Sequence, residues 1–230
     1  MPAVFTGKKI MAVSCVFSVL LLASCSEDGP IEGNNSNSTA VVLDAKQLET
    51  ELQEFAESMP EAKVFGDKAL RSSIPAAQDW MENIEVNPSK CGVTFAAPIA
   101  EQLENATMGA IEYPGGYLTV ALFKDEEVLK EQWQAKSEES SGCSRYTVKS
   151  GDESRAYHLA KQPVDTQAAL NESYVVTSSD GSTTEQQLIV RSANSNVLIG
   201  LQEKRKSGTA AEQVSSATVA VQTLLGQLNQ

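Results

Sequence analysis

The stretch "GAIEYPGGYLTVALF", from Gly109 to Phe123, is the part of the sequence that decides the fold. Apolar and polar residues alternate in Gly109–Tyr113 and again in Tyr117–Phe123, which is the period of a half-buried β-strand. The residues between them, Pro114–Gly116, are of the kinds that tight turns favour. We therefore predict a β-hairpin, whose strands must bury one face against other parts of the chain.

Outside the hairpin, the sequence predicts further strands and amphipathic helices. The strands are Cys143–Lys149, Ser154–Ala160, Ser173–Ser178, Gln187–Ser192 and Val197–Gln202. The helices lie in or around Asp44–Met59, Ala76–Ile84, Pro98–Asn105, Asp125–Glu139 and Ala210–Leu228. Strands joined by short turns and framed by helices predict an α+β fold, in which a twisted antiparallel sheet carries flanking helices.

The N-terminal segment has the order of residues seen in a secretory signal. Two lysines precede an apolar run from Ile10 to Ala23, which is shorter than the roughly 20 residues of a membrane-spanning helix. The run closes with Leu22–Cys25, which resembles the lipobox of bacterial lipoproteins. The resemblance implies that residues 1–24 are a lipoprotein signal peptide and that Cys25 carries the lipid anchor.

The alternative is an ordinary signal peptide that is cut at Ala23 or Ser24, so that Cys25 has no role. The residues that follow are mostly Ser, Asn, Gly and acids, which cannot bury enough apolar surface to offset the entropy of ordering. We predict that residues 25–42 form a flexible, lipid-anchored tether. Residues 43–230 then form a single α+β sensor-like domain.

The charge of the chain limits its partners. The 230 residues carry a formal net charge of −12, and removal of the signal peptide would take lysines and no acid with it. Nucleic-acid binding and docking on anionic lipid both need clustered Lys and Arg. We predict no nucleic-acid partner, and membrane attachment through the lipid at Cys25, on the extracytoplasmic face of the cell membrane.

Two cysteines remain beyond Cys25, at Cys91 and Cys143. In an exported protein, two cysteines most simply form one disulfide. A metal or redox pair is the alternative, but the sequence has no CxxC motif and a single histidine, His158. A disulfide here would close a loop of roughly 50 residues and contribute about 4 kcal/mol in the chain-entropy model.

The order of several segments is similar to that of a known family. "NPSKC" (Asn87–Cys91) precedes the hairpin, "FKDEEVLKEQW" (Phe123–Trp133) is a helix after a strand, and "CSRYTV" (Cys143–Val148) begins the next strand. Over Trp80–Gln230 this order resembles the PknH-like extracellular sensor domain of actinobacterial membrane proteins and lipoproteins. The resemblance implies an antiparallel sheet flanked by helices, with a cleft proposed to bind an unidentified ligand. It carries over no ligand residue, and one disulfide where the family's best-known sensor has two.

No set of residues in the sequence predicts catalysis, a metal or a cofactor. His158 is the only histidine, and there is no GxSxG motif. An enzyme would require Tyr157, His158 and an acid to meet in one pocket. The basic segment Glu203–Gly208 is interpreted as a solubilising loop. Weak candidates for lining a ligand groove, which more often pack in a core, are Trp80, Tyr113, Tyr117 and Trp133.

These observations predict a non-enzymatic, membrane-anchored extracytoplasmic lipoprotein. Its sensor-like domain would bind a small ligand or an envelope component in a cleft between sheet and helix. The alternative is an accessory protein-interaction module that holds an envelope protein through its N-terminal helix or a sheet face. A concave pocket with a few convergent polar groups would favour the first function, and a large exposed apolar patch would favour the second.

Overall fold

A computed structural model describes residues 40–92, 106–139 and 142–229. The predicted signal peptide, the lipidation residue Cys25, most of the tether and the predicted helix Pro98–Asn105 lie outside the described residues. Within the described ranges the helices are α1 (Ala45–Ala56), α2 (Asp67–Glu82), α3 (Glu126–Glu139) and α4 (Ala210–Leu228). The strands are β1 (Lys63–Phe65), β2 (Ile84–Asn87), β3 (Ala106–Tyr113), β4 (Gly116–Phe123), β5 (Arg145–Ser150), β6 (Glu153–Lys161), β7 (Leu170–Ser179), β8 (Thr184–Asn194) and β9 (Val197–Lys204).

These strands form one sheet in the order β1-β3-β4-β9-β8-β7-β6-β5-β2. Every neighbouring pair is antiparallel. The predicted α+β fold, an antiparallel sheet with flanking helices, is therefore confirmed. The predicted hairpin is also confirmed, because Tyr113 pairs with Gly116 across the turn. Gly115 has a φ of 92° there, a conformation that glycine adopts without steric cost.

One face of the sheet is covered by α1 and α4, and we call it the α4 face. Alternate residues of the central strands point into its core, among them Ile111, Leu118, Val120, Leu188, Val190, Ile199 and Leu201. The helices contribute Leu48, Leu52, Phe55, Val214, Val221, Leu224, Leu225 and Leu228. Helix α1 lies so close to β3 that a Cβ atom at Gly109 would come within 2.3 Å of the Leu52 side chain.

The opposite face carries the disulfide, and we call it the disulfide face. Cys91 and Cys143 are bonded, with their Cα atoms 5.5 Å apart, as predicted. The bond joins the segment after β2 to the segment before β5, which is the neighbouring strand in the sheet. Around it pack Tyr146, Val148, Leu159, Tyr174, Val176 and Ile189, while a second cluster lies beneath Leu129 of α3.

Helix α2 differs from its prediction. The sequence predicts a short helix around Ala76–Ile84. The observed helix begins at Asp67 and contains Pro75. Leu70 and Ile74 are buried, so the helix has an apolar face before the proline that offsets the lost hydrogen bond. Ile84, at the other end, belongs to edge strand β2.

Val41, two residues before the predicted domain boundary at residue 43, is buried in the core of the α4 face. The Val41 amide donates to Asn196 Oδ1 at 2.8 Å, and Asn196 Nδ2 donates back to the Val41 carbonyl at 2.9 Å. Asn196 lies in the β8–β9 turn, so this turn holds Val41 against the sheet. Within the described ranges, no helix combines the length and apolar composition that crossing a membrane requires.

Candidate ligand site between the sheet and the last helix

A cavity of about 320 Å³ opens on the α4 face. It lies between the residues after α1, the β3–β4 turn, β9 and α4. Its walls are mainly apolar, and are formed by Met59, Pro60, Pro114, Leu201, Ala217 and Ala220. The polar residues that line it are Ser58, Tyr113, Glu203, Lys206 and Ser216. Small-molecule sites have this character, apolar with a few placed polar groups, and volumes of about 300–1,000 Å³.

Strand register brings Glu203 into this cavity. Val197, Ile199 and Leu201 alternate along β9 and point into the core of the α4 face. Glu203 continues the same alternation, so its side chain leaves the strand on the apolar side. The side chain is only 13% exposed. A carboxylate is thus held at the end of a row of core residues.

Neighbouring elements hold the Glu203 carboxylate in place. The Tyr113 hydroxyl of β3 donates to Glu203 Oε1 at 2.9 Å, and Gln213 Nε2 of α4 donates to Oε2 at 3.3 Å. Burial, and then the charge and hydrogen bond of Glu203, raise the pKa of Tyr113 well above its ordinary value. The Tyr113 hydroxyl therefore stays protonated and acts as a donor to the carboxylate.

Lys206 stands at the mouth of the cavity. Its Nζ atom lies 3.8 Å from Glu203 Oε2, and its side chain is 65% exposed. This distance is longer than a charge-assisted hydrogen bond, which spans about 2.7–2.9 Å. The lysine therefore screens the carboxylate from the solvent side without a direct hydrogen bond to it.

The segment interpreted as a solubilising loop, Glu203–Gly208, has a second role that the sequence analysis missed. Arg205 donates to Gln213 Oε1 at 2.8 Å and to the Thr209 carbonyl at 3.2 Å. These contacts attach the loop to the first turn of α4 and orient Gln213 towards Glu203. The sequence does contain an indication of this role. Glu203 continues the alternation of Val197, Ile199 and Leu201, and an acid at such an inward-facing position is unusual unless it has partners.

The four aromatic candidates from the sequence do not form one site. Tyr113 lines the cavity, whereas Tyr117 lies on the other face of the sheet, where its hydroxyl donates to Glu112 Oε1 at 3.2 Å. Trp133 of α3 lies over Arg191, and Trp80 packs beside the disulfide cluster. The hairpin separates the two tyrosines because its strands alternate across a two-residue turn.

Trp133 covers a buried ion pair on the disulfide face. Arg191 Nη1 lies 2.5 Å from Glu172 Oε1, and both side chains are 4% exposed. The Tyr174 hydroxyl donates to Glu172 Oε2 at 3.4 Å, and the Arg191 guanidinium carbon lies 4.9 Å from the Trp133 ring centre. The opposite charges compensate each other inside the packed structure.

A second cavity, of about 300 Å³, lies where the N-terminal segment meets the sheet. Asn196 spans its edge by bonding Val41 and the Phe123 carbonyl, the latter at 2.8 Å. Arg71, on another side, bonds Asp67 at 2.7 Å and the Ala106 carbonyl at 2.5 Å. Because these polar groups hold segments of the chain together, the cavity is best explained as part of the chain's own packing.

The residues that an enzyme would have required do not converge. His158 is exposed, and the neighbouring Tyr157 points to the other face of β6, where its ring stacks on Tyr146 with centroids 5.1 Å apart. In the part of the chain that the structure describes, no three His, Cys, Asp or Glu side chains are grouped so that they could share a metal ion.

No family model matches the chain, and no curated protein matches it. Solved structures to which it is similar include the following two. The extracellular domain of PknH from Mycobacterium tuberculosis shares 12% identity, with 82% of this chain and 93% of that chain covered and a TM-score of 0.49. An uncharacterized protein from Mycobacterium smegmatis, an Rv0999 ortholog, shares 11% identity, with 80% and 97% covered and a TM-score of 0.41. The family named from the sequence is thus represented among the structures to which this chain is similar.

Proposed function

We propose that this chain is a non-enzymatic, extracytoplasmic lipoprotein that is anchored through Cys25 and binds a small ligand or envelope component. The observation that carries the proposal is the cavity on the α4 face, with apolar walls and one convergent pair, Tyr113 and Glu203. It lies between sheet and helix. A sensor or carrier needs such a space, because an apolar wall supplies affinity and a few polar groups supply orientation.

The extracytoplasmic location is supported by features away from the cavity. Leu22–Cys25 follows a signal-like apolar run, and a polar stretch follows the cysteine. Cys91 and Cys143 form a disulfide, which persists in oxidising compartments outside the cytoplasm.

The anchor is tested by fractionation of cells that express Cys25→Ala. We expect the variant to leave the membrane fraction, because a lipid anchor depends on the Cys25 thiol. Cys15→Ala is the matched control, since this cysteine lies inside the predicted signal peptide and should leave membrane attachment unchanged. Membrane association of Cys25→Ala equal to that of the control would refute the anchor.

The ligand site is tested by native mass spectrometry of the protein purified from its own host. We expect an added mass that is released on denaturation. Ala220→Leu places a larger side chain in the cavity wall and should abolish that mass, while Ala211→Leu, at an exposed position of the same helix, should retain it. A bare mass for the unaltered protein, or the same added mass on Ala220→Leu, would contradict the proposed site.

An accessory protein-interaction module is the second candidate. The surface that it would use is the exposed part of the sheet around Arg145, Lys149 and His158, on the side of β5 and β6 away from the disulfide. This surface is polar, and the large apolar residues exposed within the described ranges are Val42 and Val219. Cross-linking in intact cells tests this candidate. If it is correct, we expect an envelope protein to be captured by the unaltered protein and not by the Arg145→Glu variant.

A further inference from the structure

The charge inside the cavity is negative, and its acceptor positions are only partly used. An ionised carboxylate offers about four acceptor positions. Glu203 receives one hydrogen bond from Tyr113 and one from Gln213, at 2.9 Å and 3.3 Å. Lys206 adds an ion-pair contact at 3.8 Å from the solvent side. A donor that arrives from within the cavity therefore meets an anionic acceptor with lone pairs available.

The side chains that donate hydrogen bonds to Glu203 are uncharged. Tyr113 remains protonated, and the side-chain amide of Gln213 carries no charge, so neither cancels the negative charge. The cation in reach, Lys206, is 65% exposed, and its long side chain can turn into water without disturbing the fold. A ligand cation could take over the contact that the lysine makes at the mouth.

The walls set the shape of the rest of the ligand. Met59, Leu201, Ala217 and Ala220 present methyl and thioether groups to the space. At about 320 Å³ the cavity accepts a compact apolar body of the size of an amino-acid side chain. Such a body would displace water from around the carboxylate. The loss of water strengthens the attraction between the carboxylate and a positive charge beside it.

We infer that the ligand of this cavity carries an ammonium group on a compact apolar body, with the ammonium bound to Glu203 and the body packed against Met59 and Leu201. This inference rests on the proposed ligand cavity and adds the chemical class of its occupant. The same chemistry is offered by a small free amine and by the amino end of a peptide. In the bound state the ammonium donates to Glu203, and Lys206 moves outward.

The test compares probes of one shape and different charge on the protein purified from its own host. Isothermal titration calorimetry, together with the NMR methyl signal of Met59, measures binding of 2-phenylethylamine, 2-phenylethanol and 3-phenylpropanoate. We expect the amine to bind about tenfold more tightly than the alcohol, because the ammonium adds a charge–charge attraction to the hydrogen bond that both probes can donate to the carboxylate. The carboxylate probe should bind most weakly. Phenylalaninamide is a fourth probe, which resembles the amino end of a peptide. If it binds more tightly than 2-phenylethylamine, the ligand is the amino end of a peptide; if it binds more weakly, the ligand is a small free amine.

Substitutions at Glu203 and at Lys206 have opposite expected effects, and together they test whether the Glu203 carboxylate causes the preference for the amine. Glu203→Gln should remove the preference for the amine, and Glu57→Gln, an exposed acid beyond the end of α1, should retain it. Lys206→Ala removes the competing cation and should tighten amine binding severalfold. Because Lys206 is exposed, this variant remains informative even if Glu203→Gln fails to fold.

The outcomes separate this inference from the proposed function. Equal binding of amine and alcohol at the Met59 signal, unchanged in Glu203→Gln, would overturn the ammonium assignment while the cavity stands as a binding site. A host-derived ligand without a basic nitrogen would do the same. If no probe perturbs Met59 and no host ligand is released, the proposed cavity and the ammonium inference both fail.

Discussion

Glu172 and Glu203 are both withdrawn from water, on opposite faces of one sheet. Glu172 is paired with Arg191 at 2.5 Å, and both side chains are 4% exposed. Glu203 is 13% exposed, and its closest partners are the neutral groups of Tyr113 and Gln213. The first carboxylate is enclosed by packed side chains on the disulfide face, and the second borders a cavity on the α4 face.

Under the proposed function, the difference separates a charge that is part of the packing from a charge that binds a ligand. A buried carboxylate with a matched cation leaves little for a ligand to gain, because its charge is already compensated. A carboxylate whose hydrogen-bond partners are neutral and whose nearby cation, Lys206, is exposed to solvent is compensated less, so its field can attract an incoming cation. The predictions below test whether the two sites divide in this way.

The largest effect is expected from Arg191→Met. Glu172 would be left buried without its cation, which costs about 3–5 kcal/mol of the free energy of unfolding. Glu203→Gln should cost about 1 kcal/mol or less, because the glutamine oxygen still accepts from Tyr113. Urea unfolding of both variants measures the difference. Equal losses would remove the distinction between the two carboxylates.

The double variant Glu172→Gln/Arg191→Met sharpens the same comparison. Replacing both charges removes the unpaired carboxylate, so the double variant should be more stable than Arg191→Met alone. If the double variant is less stable than either single variant, then the ion pair contributes net stability and its role is larger than charge compensation.

Removing the disulfide should alter the disulfide face, which holds Glu172, and leave the α4 face, which holds Glu203, unchanged. Cys91→Ser/Cys143→Ser opens a loop with a sequence separation of 52. We expect a loss of about 2–4 kcal/mol in the free energy of unfolding. The methyl signal of Met59 should keep its position, because the cavity lies on the α4 face. A shifted Met59 signal in the folded variant would indicate that the two faces are coupled.

The elements that could be predicted from the sequence are those with long periodic patterns and local caps. Helix α4 matches its predicted bounds, and its first turn is closed by Thr209 and Glu212. Asp44 and Asp125 cap α1 and α3 as predicted, with Asp125 accepting from the Val128 amide at 2.8 Å. The predicted strands after the hairpin are all present, most of them longer at one or both ends, because hydrogen-bonded ladders extend beyond the apolar centre of a strand.

What the sequence could not supply depends on contacts between distant segments. Strands β1 and β2 have 3 and 4 residues, too few for an alternation to be recognised. The candidate site joins Tyr113 to Glu203, 90 residues away, and the pair depends on which strands are neighbours in the sheet. The separation of Tyr113 from Tyr117 could have been derived from the two-residue turn, but only once the register of the hairpin was known.

A smaller effect is expected from Tyr113→Phe, and it depends on pH. The pKa of Tyr113 is raised in the folded state, first by burial and then by Glu203. As the pH rises through the ordinary tyrosine value near 10, the unfolded chain loses this proton while the folded chain keeps it, so stability falls. The variant should lose about 1 kcal/mol at neutral pH with the hydrogen bond and show a shallower decline above pH 10.

Tyr146→Phe provides the comparison on the disulfide face. Burial, and then Tyr157, raise the pKa of Tyr146, so this variant should also show a shallower alkaline decline. It should leave the Met59 methyl signal in place, whereas Tyr113→Phe should shift it. Urea unfolding between pH 8 and pH 11, followed by NMR at pH 7, separates the two effects. An alkaline decline in Tyr113→Phe as steep as in the unaltered protein would contradict the assigned pKa shift.

The smallest effect is expected at Asp180, a carboxylate that is held by a turn and borders neither the ion pair nor the cavity. Hydrogen bonds from the backbone and side chains of Thr183 and Ser182 lower its pKa. Its contribution to stability is therefore present above the ordinary aspartate value near 3.8 and is lost as the pH falls below it. Asp180→Asn should weaken the acid-induced loss, and Asp152→Asn, in the β5–β6 turn, controls for removal of one negative charge. Thermal unfolding between about pH 2 and pH 6, a range that extends below the ordinary aspartate value, measures both. The two variants could instead lose stability equally as the pH falls. The hydrogen bonds from Thr183 and Ser182 would then not stabilise the charge of Asp180. Partners without burial would not be enough for the ionisation of this carboxylate to contribute to the fold.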